Sequence, residues 1–139
     1  MLYYALILVS TLVSPLRLTI LLPDSVPLGE PVPIVLRLTN LGAKPVTAYL
    51  QGRPVAFDVI VSRRAGTPVW RRLEGAVVAA ALQVRSLAAG EVLEFSETWP
   101  QRTNLGAAVG PGEYFVTGVL PTDPPAELRT RPALLRILP

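Results

Sequence analysis

The side chains best equipped for chemistry in this sequence are carboxylates, arginines and two tryptophans, because histidine and cysteine are both absent. Without histidine, the usual general base at neutral pH and the commonest metal ligand are missing. Without cysteine there is no thiolate nucleophile, zinc–thiolate site or disulfide. Glu91, Glu94 and Glu97 lie three apart. On a strand that spacing alternates faces, so they cannot assemble a paired acid–base site and read as strand-edge solvation. Asp58, set between Phe57 and Val59, needs a partner or an outward face; with no base or nucleophile beside it, satisfied structural hydrogen bonding is expected. Gly106, Gly110 and Gly112 read as loop glycines rather than a phosphate-cradling turn opening a helix. No metal or cofactor is expected, and an enzyme fails for want of a catalytic set.

The thirteen basic residues, with Lys44 the lone lysine, leave a net charge of +3. They are scattered, and the pairs Arg63–Arg64 and Arg71–Arg72 read as solvated hairpin ends rather than a phosphate-binding patch, so nucleic acid is not an expected partner. Trp70 and Trp99 could anchor an interface, but each is expected to close a hydrophobic layer near a strand end.

The elements that must position these residues are short strands. Half of the 139 residues are apolar, and 15 prolines and 10 glycines cut that material into brief runs, the texture of strands joined by turns. Leu16, Leu18, Ile20 and Leu22 share one face, and Ile34, Leu36 and Leu38 alternate with Val35, Arg37 and Thr39, the period of a half-buried strand. Asn40–Leu41–Gly42 closes that strand with residues that accept positive φ. Further strands are expected over 46–50, 57–61, 69–73, 92–99, 112–120 and 133–138, with residues 76–84 an irregular strand. The sum is an all-β, immunoglobulin-like antiparallel sandwich of about eight or nine strands, one domain over residues 15–139.

Residues 1–14 carry no charge. The run is short against the roughly 20 apolar residues of a membrane helix. It has the length of a signal-peptide core but lacks a basic start, and Pro15 follows it directly. Export or anchoring is favoured over an extra edge strand at 2–9, and a membrane enters only if residues 1–14 act as an anchor.

Five segments in order, VPIVLRLTNLG (32–42), FDVIV (57–61), GTPVWR (66–71), AAGEVLEFSETW (88–99) and GPGEYFVTG (110–118), resemble the BsuPI-type intracellular proteinase inhibitor domain over about residues 16–120. The matching positions are Asn40, Phe57 with Asp58, Val69 with Trp70, Gly90 with Glu91, Thr98 with Trp99, and Pro111, Gly112 and Tyr114. They look like framework. The resemblance implies an immunoglobulin-like sandwich and inhibition of a subtilisin-like serine protease.

An inhibitor of that kind presents a rigid, extended loop to the protease cleft in a substrate-like pose, its ordering entropy already spent. The connection 100–111 is the expected binding loop, with Leu105 as specificity residue and Thr103, Asn104 and Gly106 around it; residues 63–67 are a second candidate. The expected partner is therefore a serine protease or another protein. The alternative is an exported or envelope-associated protein-binding module without inhibitory activity.

Overall fold

The computed structural model describes residues 14–123 and 126–139; the expected leader therefore lies, Ser14 apart, outside the described residues. Eleven strands follow one another: β1 (Leu16–Leu21), β2 (Ser25–Pro27), β3 (Val32–Asn40), β4 (Val46–Gln51), β5 (Asp58–Arg63), β6 (Pro68–Arg71), β7 (Leu82–Leu87), β8 (Val92–Trp99), β9 (Gly112–Pro121), β10 (Glu127–Arg129) and β11 (Ala133–Leu138). The two short members, β2 and β10, have three residues each, too few for an alternation to register in the sequence. Residues 76–81 carry no regular structure, and the strand expected across 76–84 begins only at Leu82.

The strands form one sheet in the order β1-β3-β8, a second in the order β2-β11-β9-β5-β6 with β10 also on β9, and a separate β4-β7 ribbon. Every pairing is antiparallel except β2 with β11. After β1 the chain crosses to the opposite sheet and lies parallel beside its last strand. The Arg136 N–H donates to Asp24 O (3.0 Å) and the Leu28 N–H to Leu138 O (2.8 Å) across that seam. Two facing sheets with the leading edge divided between them make an immunoglobulin-like sandwich.

Period-two alternation fills its centre. Strand β3 turns Val32, Ile34, Leu36 and Leu38 inward, meeting Val59 and Val61 of β5, Val116 and Leu120 of β9, and Leu135 and Ile137 of β11 in one core. Each such side chain contributes about 1.5–3 kcal/mol on burial. The sheets approach closely at Gly118 of β9, where an added Cβ would fall inside the van der Waals shell of Leu36 Cδ2 and press on Thr130 Cγ2. Gly118→Ala should cost about 1–3 kcal/mol by overpacking, read as a lowered midpoint in urea unfolding; an unchanged midpoint would show that Leu36 can repack.

Asn40 closes β3 differently from expectation. Neither it nor Gly42 has positive φ. Asn40 is fully buried, and its Nδ2 donates towards Lys44 O (2.8 Å), Leu87 O (3.1 Å) and Ala88 O (3.2 Å), while Oδ1 accepts from the Gly42 N–H (2.9 Å). The side chain thus satisfies two chain reversals at once. Gly90, at φ 77°, donates its N–H to Asn40 O (2.9 Å) in the turn before β8.

Candidate functional site

At the other end of the sandwich the chain leaves β8 at Trp99, changes sheets through residues 100–111 and enters β9 at Gly112. Trp99 is fully buried. Its ring meets Tyr114 edge-on at 5.7 Å and Trp70 at 6.4 Å, arrangements in which aromatic pairs add to simple burial. Its indole N–H donates to Arg102 O (2.9 Å), and the Tyr114 hydroxyl donates to Gly110 O (2.6 Å). Trp70 is half-buried rather than core. Pro111 precedes Gly112, whose φ of 137° only glycine adopts freely.

The first residue inside the loop's base was not singled out in the sequence. Gln101 is 2% exposed and stands at φ 56°, in the left-handed region. Its Oε1 accepts from the Gly29 N–H (3.0 Å), and its Nε2 donates to Pro27 O (2.9 Å) and Glu30 O (2.7 Å). A single carboxamide therefore satisfies the turn between β2 and β3 and fixes the loop to it. A polar residue after a Trp–Pro pair offers no sequence sign of this.

Beyond Gln101 the loop folds back on itself. The Val109 N–H donates to Gln101 O (3.1 Å), Arg102 bridges Ala108, and the Thr103 N–H donates to Ala107 O (2.8 Å). The Gly106 N–H closes the tip on Thr103 O (2.9 Å), with Gly106 at φ 89°. That pattern is a miniature hairpin ending in a tight turn and a glycine bulge. Arg102 Nη1 adds a bond to Gly106 O (2.9 Å), and Thr103 Oγ1 accepts from the Ala107 N–H (3.2 Å). The segment is therefore a closed turn, where an extended segment was expected.

Asn104 anchors the turn sideways. Its Oδ1 accepts from the Arg71 N–H (2.8 Å) and its Nδ2 donates to Arg71 O (2.9 Å), so the carboxamide pairs with the edge of β6 as a strand residue would. Leu105, the next residue, is 98% exposed. The structure thus brings Thr103, Asn104, Leu105 and Gly106 into one four-residue turn with only Leu105 fully projecting.

Arg71 is exposed, but Arg72 is not a solvated hairpin end. Arg72 stacks 3.7 Å over the Phe57 ring, and its guanidinium donates to Phe57 O (2.8 Å) and to Glu97 Oε2 (2.7 Å). This explains Glu97, the polar residue on the apolar face of β8: its partner on the other sheet is a half-buried arginine. Buried Asp58 accepts from the Leu73 N–H (3.0 Å) and pairs with Arg71 at 3.4 Å, so its carboxylate is held within the framework. Of the other pair, Arg63 lies 5.5 Å from the Tyr114 ring and Arg64 pairs with Glu113 at 3.5 Å, both exposed. No group of three metal-ligating side chains occurs among the described residues.

The fold has relatives of known structure. The CARDB domain of a Pyrococcus furiosus protein, crystallised with di-metal ions, matches with a TM-score of 0.51 at 14% identity, over 88% of this chain and 87% of that domain. The Bacillus subtilis sporulation control protein Spo0M matches with a TM-score of 0.51 at 13% identity, over 89% of this chain and 49% of its own length. At such identities the likeness concerns the fold alone. No curated protein matches at a significant level. A family model described as intracellular proteinase inhibitor, however, matches residues 23–125, a span from the turn before β2 to the loop after β9 that includes Asn40, Asp58, Trp70, Trp99 and the braced turn, and the chain therefore belongs to the BsuPI family of intracellular proteinase inhibitors.

Proposed function

We propose that this chain is a non-catalytic inhibitor of a subtilisin-like serine protease and that it engages the enzyme with the turn Thr103–Gly106. The observation that carries the reading is Leu105, a large apolar side chain almost wholly in solvent at the tip of a turn whose flanks are tied by backbone and side-chain bonds. A leucine so placed has little to contribute to folding and suits an apolar specificity pocket. Because the turn is already ordered, little conformational entropy is lost on docking. Its closed geometry makes Leu105 a knob that occupies the pocket rather than part of an extended, cleavable strand.

Titration of subtilisin with the purified chain tests this. Saturable inhibition is expected, with the Leu105–Gly106 bond surviving long incubation. Leu105→Ala should raise the inhibition constant roughly 10- to 100-fold, the worth of burying one leucine, without moving the unfolding midpoint. No inhibition by the parent chain, or cleavage at Leu105–Gly106 as fast as in a free peptide, would sink the proposal.

A further inference from the structure

At the end of the sandwich away from the braced turn, an open groove of about 950 Å³ runs along β1, between that strand and the segment 128–133. Among the described residues strand β1 pairs only with β3, so its other edge carries no strand there. The Pro15 carbonyl accepts from the Leu41 N–H (2.9 Å), which sets the alternation of the ladder. Arg17, Thr19 and Leu21 direct their backbone groups at β3, while Leu18 and Ile20 direct theirs into the groove. The Leu16 N–H, on the bare side, is taken by Ser14 Oγ (3.2 Å).

The other edges of the two facing sheets are blunted. Strand β6 begins with Pro68 and has Asn104 clamped on Arg71, β2 and β10 have three residues each, and β8 carries Glu94 and Glu97. Strand β1 offers six residues without proline or bulge, the kind of edge that accepts another strand.

The groove's charge selects the occupant. Arg17, Arg129 and Arg131 line it and no acidic residue does. Arg129 is paired with Glu127 (3.0 Å), but neither Arg17 nor Arg131 makes an ion pair among the described residues, and both are exposed. A second copy adding β1 to β1 would bring like charges together, which is unfavourable across strands. The chain's own residues 1–13 are uncharged and would neutralise neither arginine.

We infer that the free edge of β1 receives an extended segment of a partner protein in which acidic and apolar residues alternate. Its backbone would bond Leu18 and Ile20, and its carboxylates would meet Arg17 and Arg131. This surface is separate from the protease-facing turn and does not depend on it.

The test uses the full chain and a labelled, end-blocked nonapeptide of alternating glutamate and valine, with fluorescence anisotropy and amide exchange as readouts. Binding is expected to be about tenfold tighter than for the lysine–valine counterpart, the worth of two or so cross-strand charge pairs. The double variant Arg17→Glu, Arg131→Glu should reverse that preference, and the bound peptide should slow exchange at Leu18 and Ile20. Both substitutions are at exposed positions, so an unchanged melting curve confirms that the variant is folded. Equal affinity for the two peptides would overturn the proposal. So would undiminished binding of a glutamate peptide carrying a central proline, which reports charge attraction without strand addition. Tighter binding by a peptide copying residues 2–9 would assign the groove to the chain's own leader and also overturn it.

Discussion

Trp99→Ala should lower the stability of the domain by about 3–5 kcal/mol, the usual cost of removing a large aromatic ring from a packed core. Trp99 has no exposed surface, touches the rings of both Trp70 and Tyr114, and is the last residue of β8 before the chain changes sheets. Tyr114 is not free to fill the cavity that would open, because its hydroxyl is bonded to Gly110 O. Trp99→Phe separates the two roles of the indole: it keeps most of the packing but releases the bond to Arg102 O, so about 1–2 kcal/mol is expected. Urea unfolding of the three proteins measures both numbers. A loss below about 1 kcal/mol for Trp99→Ala would mean that the ring is not a keystone of this end.

Gln101→Ala should cost about 2–4 kcal/mol, because it leaves the Gly29 N–H and the carbonyls of Pro27 and Glu30 without the partner they have now. The residue also sits at φ 56°, where an L side chain is strained by roughly 1–2 kcal/mol. Gln101→Gly removes that strain along with the bonds, so it should be less damaging than Gln101→Ala by about 1 kcal/mol. The order of the two variants is therefore the informative quantity. If alanine and glycine destabilise equally, the backbone at 101 relaxes; if neither destabilises, the turn at 27–30 finds water instead. Under the proposed function both variants should also weaken inhibition at temperatures where they remain folded, since they loosen the base on which Leu105 stands.

The strands were readable because alternation is local. β3, β8 and β9 could be drawn from the spacing of Ile34, Leu36 and Leu38, of Leu93 and Phe95, and of Tyr114 and Val116. The polar contacts were not readable because their partners are remote. Gln101 meets Gly29 72 residues away, and Asn104 meets Arg71 33 away. Glu97 did break the pattern of β8, and Arg72 followed the Val–Trp pair, but nothing in a linear sequence says that two such exceptions face each other across a sandwich. The braced turn lies between these cases. Thr103–Asn104–Leu105–Gly106 has the turn-forming asparagine and the glycine that a tight reversal wants, so its closed form was recoverable from turn chemistry. The substrate-like pose implied by an inhibitor suggested extension instead.

The parallel seam between β2 and β11 has a mechanical meaning. Neighbouring parallel strands drawn apart from opposite ends are loaded in shear, so the bonds between them share the force and must fail together; antiparallel neighbours pulled from one end unzip one bond at a time. Here Ser25, Val26 and Pro27 lie in register with Arg136, Ile137 and Leu138, and the bonds from Arg136 to Asp24 and from Leu28 to Leu138 bracket that stretch. Tension applied across the two strands therefore meets a latch whose bonds must fail together. Pulled between Asp24 and Leu138, the chain is expected to hold Trp99, Gln101 and the turn they support in place until the latch gives way.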